Sequence, residues 1–377
     1  MICKFGFGGM IEMKVKLEDV CERGSSNLRQ SDIVEIDGDY PIYGASGYIG
    51  NVDFYHQENP YVAVVKDGAG IGRTTLHPAK SSVIGTMQYL IPKENVLPEY
   101  LYYVVSYMHL ERYFTGATIP HIYYKDYKNE KFNLDPLDRQ KTIVDILGKC
   151  EAVIKARKRE LELLDNLIKV RFVEMFGDPK INPKGWTECA LSEKLNVVGG
   201  YAFKSDMFDE DDGIPVLRIG NINAGYFRPV KLVYWQEDED LERYAMYPGD
   251  LVMSLTGTVG KDDYGNVCIL GDDYEMYYLN QRNAKLEIKG GIDKFYLSQL
   301  LKFEQIKKKL TGISRGVRQA NISNKDILNL VVPLPPMELQ NQFADFVHQV
   351  DKSKVAVQKA LDEIQILFDS LMQKYFG

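Results

Sequence analysis

The sequence repeats itself at an offset of 200 residues. Residues 122–177 match residues 322–377 without a gap, and both stretches end Phe-Gly. Within them, Gln140 corresponds to Gln340 in the same local pattern, Leu-x-Pro followed by Gln and then a long polar–apolar segment. An internal repeat of this kind predicts two copies of one structural unit in a single chain.

Each copy of the repeat closes with a long stretch that almost lacks helix breakers. Residues 137–176 contain one Gly and no Pro, and residues 337–376 contain neither. Pro precedes each stretch and Gly177 follows the first, as is common at the start and the end of helices. We therefore predict two helices of about 40 residues each, much longer than the average of about 11–12 residues for α-helices in globular proteins.

The rest of each half is long enough for a globular domain. Leu17 in "VKLEDVCERGSS" resembles Leu191 in "CALSEKLNVVGG", and "DGAGIGRTT" (67–75) resembles "LTGTVGKDD" (255–263). The predicted fold class is α+β, with two α/β domains, two long helices and an internal pseudo-two-fold repeat. The predicted boundaries are 13–134 and 186–333 for the domains, 135–177 and 334–377 for the helices, and 178–185 for the linker.

The two predicted helices carry heptad patterns. A pattern of this length is typical of a coiled coil, and we expect an antiparallel pair in which Ile154 faces Ile364 and Leu161 faces Val357. The alternative is two core helices of an ordinary bundle. The apolar seam consists of Leu147, Ile154, Leu161, Ile168 and Met175 in the first helix and Phe343, Val350, Val357, Ile364 and Leu371 in the second.

Composition limits the classes of function. The 45% hydrophobic and 26% charged content is that of a globular protein, without an apolar run long enough for a membrane span. Five scattered cysteines with no CxxC pair favour a reducing, cytoplasmic setting and argue against a disulfide framework or a zinc site. The net charge of −7 is unusual for a chain that binds nucleic acid.

The order of these segments resembles one known family, the specificity subunits of type I restriction–modification enzymes. The resemblance covers the whole chain and is carried mainly by "DPLDRQKTIVDIL" (135–147) and "LPPMELQNQFADFV" (334–347), each followed by the long helix. "YPIYGASGYIG" (40–50), "YPGDLVMSLTGTVG" (247–260) and "ISNKDILNLVVPLPP" (322–336) resemble the family's target-recognition domains.

The resemblance implies a division of labour. Two target-recognition domains each read one half of an asymmetric, bipartite site in double-stranded DNA, and the helices set the spacer. Two methyltransferase subunits bind this chain, and restriction–motor subunits join that core. The chain itself would then hold no cofactor and catalyse nothing, with S-adenosylmethionine, ATP and Mg²⁺ bound by the partner subunits. Two alternatives stay open: a single-chain restriction or methyltransferase enzyme, and a coiled-coil scaffold without a nucleic-acid role.

Candidate DNA-contacting residues follow from the chemistry of base edges, which Arg, Lys, Asn and Gln recognise best. The richest cluster is "SRGVRQAN" (314–321), and its counterpart "GATIPHIYYK" (116–125) is aromatic where the second half is basic. The alternative for each candidate is a surface side chain without DNA contact. The candidates are Lys66, Arg73, His121, Tyr123, Tyr124, Lys125, Lys204, Arg218, Asn221, Lys261, Arg282, Arg315, Arg318, Gln319 and Asn321.

Other motifs do not complete a catalytic or metal site. "GAGIGRTT" (68–75) lacks the Lys-Ser/Thr of a phosphate-binding loop. "LEIK" (286–289) after Asp272 and Asp273 mimics a nuclease centre, but the first half has no equivalent acid. Because both domains are acidic, −4 over 1–137 and −3 over 178–337, we expect weak DNA binding by this chain without its partners.

Overall fold

The computed structural model describes residues 14–34, 36–68, 70–116, 120–259, 261, 263–312 and 319–377. The chain forms two compact units. Unit 1 comprises residues 1–159 with 358–377, and unit 2 comprises residues 160–357. Each unit therefore contains one predicted α/β domain and a part of both long helices.

Unit 1 is built around an antiparallel sheet with strand order β2-β8-β5-β6, beside a smaller sheet of order β4-β3-β7. Its helices are α1 (Leu17–Val20), α2 (Pro98–Tyr107), α3 (Tyr124–Tyr127), the first part of α4 (Leu137–Phe176) and the last part of α9 (Met337–Phe376). Its strands are β1 (Lys14–Lys16), β2 (Cys21–Ser25), β3 (Tyr40–Gly44), β4 (Gly47–Val52), β5 (Tyr61–Val65), β6 (Thr74–His77), β7 (Ser82–Val83), β8 (Met87–Pro92) and β9 (Lys131–Asn133).

Unit 2 has a four-stranded sheet of order β11-β19-β15-β17 and another of order β13-β12-β18-β14. Its helices are the last part of α4, α5 (Ile219–Ile222), α6 (Lys294–Lys302), α7 (Glu304–Thr311), α8 (Asn324–Leu328) and the first part of α9. Its strands are β10 (Glu188–Ala190), β11 (Leu195–Gly199), β12 (Ile214–Leu217), β13 (Tyr234–Trp235), β14 (Ala245–Met246), β15 (Leu251–Ser254), β16 (Thr256–Thr258), β17 (Val267–Ile269), β18 (Tyr277–Leu279), β19 (Asn283–Ile288), β20 (Gln319–Asn321) and β21 (Val331–Pro333).

The central strand of each main sheet is buried on both faces. In β5, Tyr61, Ala63 and Val65 belong to one apolar cluster and Val62 and Val64 to another. This alternation follows from the period of two along a strand, which points successive side chains to opposite faces. Strand β15 divides in the same way, with Leu251 and Met253 in one cluster and Val252 in the other. In each unit, a central strand with apolar side chains on both faces therefore contributes to two apolar clusters.

The predicted repeat is confirmed by equivalent main-chain hydrogen bonds. The amide of Leu17 donates to the carbonyl of Glu130, and the amide of Leu191 donates to that of Leu330, both at 2.9 Å. In each unit this contact closes a two-stranded ribbon, β1 with β9 and β10 with β21, that leads into a long helix. The likeness inferred between Leu17 and Leu191 is thus a structural equivalence.

The repeated glutamines explain why Gln recurs after each proline. Gln140 and Gln340 are fully buried, and each accepts a hydrogen bond from the backbone amide before a helix of its own unit. For Gln140 the donor is Leu97 at 2.9 Å, and for Gln340 it is Asp293 at 2.8 Å. The amide group of Gln340 also donates to the carbonyl of Pro335 at 2.7 Å. Each glutamine therefore joins the start of a long helix to its own α/β domain.

The long helices pair antiparallel in unit 2, as the pseudo-two-fold relation of the repeat predicts. The Lys354 ammonium lies 2.7 Å from the Asp165 carboxylate. Further along α4, the ring centroids of Phe172 and Phe176 each lie 5.5 Å from that of Phe343. Because the partner number falls as the α4 number rises, the two helices run in opposite directions.

Unit 1 contains the other paired segments of the two helices. There Tyr103 donates a hydrogen bond to Glu151 and packs against Phe368, while Tyr100 reaches Asp135 and Phe376. These contacts also run antiparallel. All ten predicted seam residues are buried or half-buried, and Leu147 shares a cluster with Leu371, as Ile168 does with Val350. The two middle layers of the predicted register stay a prediction.

Candidate DNA interface

Site 1 is a pair of strand-like segments in unit 1 that meet at the end of β5. The amide of Ile122 donates to the carbonyl of Lys66, and the amide of Gly68 to that of Pro120, both at 3.0 Å. Residues 66–68 therefore lie beside residues 120–122, and Asp67 is placed opposite His121. We include residues 120–125 in site 1, since α3 begins at Tyr124, two residues after Ile122.

Site 2 is built in the same way in unit 2, at the end of β15. The amide of Ile322 donates to the carbonyl of Leu255 at 2.9 Å, as the amide of Ile122 does to Lys66. Strands β16 and β20 pair here, and their register places Thr256 opposite Asn321. Site 2 is thus residues 255–258 with 319–322. The position that holds His121 in site 1 holds Asn321 in site 2.

In site 1, the side chains of Asp67, Tyr123 and Lys125 gather around His121. The Nδ1 atom of His121 forms a hydrogen bond with the carboxylate of Asp67. The imidazole lies 4.1 Å from the ring of Tyr123, measured between centroids, and the Lys125 ammonium lies 5.1 Å from the Tyr123 centroid. Tyr123 is 48% exposed. This arrangement presents an imidazole, an aromatic face and a cation on one surface.

In site 2, the equivalent side-chain contact joins a hydroxyl and an amide. The Oγ1 atom of Thr256 donates to Oδ1 of Asn321 at 3.3 Å, and Asn321 is exposed. The carbonyl of Arg282, another exposed candidate, accepts a hydrogen bond from the Leu255 amide at 2.8 Å. Site 2 therefore brings Arg282 and Asn321 to the end of the same strand.

A turn follows each site and carries one predicted cation. Arg73 lies on the turn between β5 and β6, where its carbonyl accepts from the Val65 amide at 2.9 Å. Lys261 lies on the turn after β16, and its amide donates to Thr258 at 3.0 Å. Asp263 holds this turn through two 2.8 Å hydrogen bonds from Thr258. Burial works to raise the pKa of Asp263, but the bonds from Thr258 and the nearby Lys261 charge lower it overall.

Of the remaining candidates, Asn221 lies inside the protein and is corrected here, and Tyr124 is half-buried. Asn221 is 1% exposed, and its amide nitrogen donates to the carbonyls of Arg228 and Val230 at 3.0 Å each. It stabilises a loop because a buried amide needs these partners. Tyr124 turns inward beside Cys21, and burial raises the pKa of its hydroxyl. The Asn221 side chain is therefore not positioned for base contact, while a DNA contact by the half-buried Tyr124 stays a prediction.

The other candidates differ in how much of each residue the structure describes. Lys204 is exposed and precedes a short 3-10 helix (Ser205–Met207), and Arg218 precedes α5 and donates to the carbonyl of Lys231. Gln319 lies in β20, where only its backbone is described. Arg315 and Arg318 lie outside the described residues.

Sequence reasoning missed Asp67 and Thr256, the residues that contact His121 and Asn321. The likeness between residues 67–75 and 255–263 aligns Asp67 with Leu255. In the structure, however, Leu255 accepts the hydrogen bond from Ile322 as Lys66 does from Ile122, so Leu255 is the equivalent of Lys66. The alignment was one residue out in this turn, because the two halves share few residues there. The missing signal was the pairing of the turn with a segment more than fifty residues away, which local sequence does not encode.

Within the described part of the chain, no three His, Cys, Asp or Glu side chains are grouped so that they could hold a metal ion. No helix in that part is both long and apolar enough to cross a membrane.

Two copies of one α/β unit, each with a polar site at the end of a central strand, make this an internally duplicated α/β protein. The family model for the type I restriction modification DNA specificity domain matches residues 11–164 and 183–365. The chain therefore belongs to this family, the specificity subunits of type I restriction–modification enzymes, rather than to their catalytic subunits.

Known members agree with this assignment. The specificity subunit of the type I restriction enzyme MjaVIII from Methanocaldococcus jannaschii is 28% identical over 85% of this chain and 80% of the relative. The EcoKI specificity subunit of Escherichia coli is 26% identical over 46% of this chain, and the match spans only 38% of that subunit. The crystal structure of the S subunit from M. genitalium superimposes with a TM-score of 0.60 at 15% identity, covering 97% of this chain and 96% of that one. That last likeness concerns the fold alone.

Proposed function

We propose that the two units each read one half of an asymmetric, bipartite DNA site. The observation that carries this proposal is the equivalence of site 1 and site 2. Both sites form at the same point of the same fold, yet one presents His121 and the other Asn321. Since imidazole and carboxamide groups pair with different base edges, two such sites select two different half-sites.

Site 1 would contact bases through His121, Tyr123 and Lys125, with Lys66 and Arg73 near phosphate. Site 2 would use Arg282 and Asn321, with Lys261 near phosphate. Lys204 and Arg218 extend the proposed surface of unit 2. Arg315, Arg318 and Gln319, which precede Asn321 in the sequence, are proposed as further DNA contacts.

The long helices are proposed to set the spacer between the half-sites. An α-helix rises about 1.5 Å per residue, so α4 and α9 are each about 60 Å long. At about 3.4 Å per base pair, that length spans roughly 15–18 base pairs. It suits half-sites on the order of one to one and a half helical turns apart.

The same helices are proposed to dock two methyltransferase subunits, which restriction–motor subunits then join. Leu163, Leu167 and Val170 form an exposed apolar stripe on one face of α4, with 52%, 45% and 54% of their surface open to solvent. Spacings of three and four residues place them on one helix face, and an exposed apolar stripe of this kind favours a protein partner. Leu167→Asp should weaken assembly with the methyltransferase subunit, measured by size-exclusion chromatography with light scattering.

The partners would supply the chemistry and much of the affinity for DNA. S-adenosylmethionine, ATP and Mg²⁺ are proposed to bind to the methyltransferase and motor subunits, in the cytoplasm. Because this chain carries a net charge of −7, it should bind DNA weakly when isolated. Specific, tight binding by the purified chain at physiological salt would contradict this part of the proposal.

The proposal is tested by mapping methylated bases in the host genome by long-read sequencing. Deleting the gene should abolish one bipartite methylated motif. Replacing residues 186–321 with the equivalent region of another family member should change one half of that motif and leave the other half intact. If the deletion leaves every methylated motif in place, or the exchange alters both halves, the proposed function is wrong.

A further inference from the structure

We propose that Asp67 is a positioning residue that fixes which hydrogen-bonding group His121 presents to DNA, and that Thr256 does the same for Asn321. This inference rests on the proposed function and assigns a role to two residues outside the predicted set. Its basis is that each reading side chain contacts a side chain across the same paired segments.

The hydrogen bond between Asp67 and His121 allows only one neutral tautomer of His121. A carboxylate has no proton to donate, so the hydrogen bond between Asp67 and Nδ1 of His121 requires the proton on Nδ1. In a neutral imidazole, Nε2 is then an acceptor. An acceptor in the major groove pairs with the exocyclic amino group of adenine or cytosine, and not with the keto oxygens of guanine or thymine. Site 1 should therefore select adenine or cytosine at one position of the contacted strand.

The packing around His121 keeps the ring in one orientation. The Thr115 amide donates to the His121 carbonyl at 2.8 Å, and the His121 amide donates back to Thr115 at 3.0 Å. Tyr123 covers the ring from 4.1 Å. The main chain of His121 is hydrogen-bonded to Thr115, and its ring packs against Tyr123. We therefore expect replacement of the Asp67 carboxylate to change the tautomer of His121 while the ring stays in place.

The site 2 pair has the opposite polarity. The Thr256 hydroxyl donates to Oδ1 of Asn321, which leaves the amide N–H group as the donor for a ligand. A donor in the major groove pairs with N7 or O6 of guanine, N7 of adenine or O4 of thymine. The two half-sites should therefore differ in hydrogen-bond polarity at the positions that His121 and Asn321 contact.

The experiment uses the full chain assembled with its methyltransferase subunits. Binding to duplexes that carry each of the four base pairs in turn, at every half-site position, is measured by fluorescence anisotropy at pH 8, where a histidine side chain in water is neutral. Asp67→Asn is the test variant, because an amide of nearly the same shape can donate or accept and so permits both tautomers. The matched variants in unit 2 are Thr256→Val, which removes the hydroxyl, and Thr256→Ser, which restores it.

The wild-type complex should prefer adenine or cytosine at one position of the first half-site by roughly tenfold or more. Asp67→Asn should reduce that preference to about threefold or less, at that position only. Thr256→Val should relax one position in the second half-site, and Thr256→Ser should restore it. Each variant leaves the other half-site as its internal control.

The variant His121→Ala tests whether Asp67 acts through His121 or through the stability of the fold. It should relax the same base pair as Asp67→Asn. The proposal is wrong if His121→Ala relaxes another pair or none, or if Asp67→Asn lowers affinity equally for all four base pairs. Either result would leave the proposed function intact, because that depends on the deletion and the domain exchange. If gene deletion abolishes the methylated motif but none of the variants changes its base preferences, this inference is wrong and the proposed function stands.

Discussion

Replacing Phe176 with alanine should destabilise unit 2 more than Phe376→Ala destabilises unit 1, although both residues end a long helix with the same Phe-Gly. Phe176 is 3% exposed, and its ring centroid lies 4.9 Å from those of Phe172 and Tyr296 and 5.5 Å from that of Phe343. A buried Phe→Ala change leaves a cavity and costs about 3–5 kcal/mol.

Phe376 is half-buried, and its ring meets Tyr100 at 5.4 Å and Tyr107 at 6.3 Å. Because more of its surface stays in water than at Phe176, Phe376→Ala should cost less, about 1.5–2.5 kcal/mol. For a unit of this size, about 1 kcal/mol shifts the melting temperature by about 2–4 °C. We expect Phe176→Ala to lower it by on the order of 10 °C and Phe376→Ala by about 5 °C.

Differential scanning calorimetry measures both shifts, and hydrogen exchange followed by mass spectrometry assigns them to a unit. Phe176→Ala should speed exchange in α6, which carries Tyr296, and Phe376→Ala should speed exchange in α2, which carries Tyr100. An equal or larger loss of stability for Phe376→Ala would refute the reasoning from burial.

Further predictions concern pH and the buried glutamine. Burial lowers the pKa of His77 to about 4, so its ring is neutral when folded but is protonated more readily when unfolded. Stability should therefore fall as the pH drops from about 6.5 towards 4, by up to about 3 kcal/mol, and urea unfolding of His77→Gln should show a flatter pH profile. Gln340→Leu should cost about 2–5 kcal/mol, because Asp293 N–H and the Pro335 carbonyl lose their partner. The exposed control Gln342→Leu should change the free energy of unfolding by less than about 0.5 kcal/mol in the same assay.

The C-terminal end of α4 is capped by residues of the following linker as well as by the repeated Phe-Gly. Gly177 adopts a positive φ of 83°, and the chain after it returns to the helix end. The indole of Trp186 donates to the carbonyl of Phe176 at 2.8 Å, and the Lys184 ammonium donates to that of Met175 at 2.8 Å. These bonds satisfy carbonyls that have no partner within the helix. The glycine was readable from sequence, but its partners were not.

The sequence by itself determined the repeat, the two helices from 137 to 176 and from 337 to 376, and their antiparallel pairing. The helices follow from local patterns, namely the near absence of Gly and Pro and the spacing of apolar residues every seven positions. Their antiparallel direction follows from the pseudo-two-fold relation of the repeat. The family resemblance, which the comparisons confirm, depends on the same patterns.

Only the tertiary structure decided which polar residues meet. Asp67 and His121 are 54 residues apart in the chain, and Thr256 and Asn321 are 65 apart. Their contacts depend on a strand end pairing with a distant segment, which no local pattern encodes. Asn221, by contrast, looked like a reader of adenine and is buried with its amide satisfied. A polar residue type indicates what a side chain can bond with, and the fold alone decides whether its partner is DNA or the protein's own backbone.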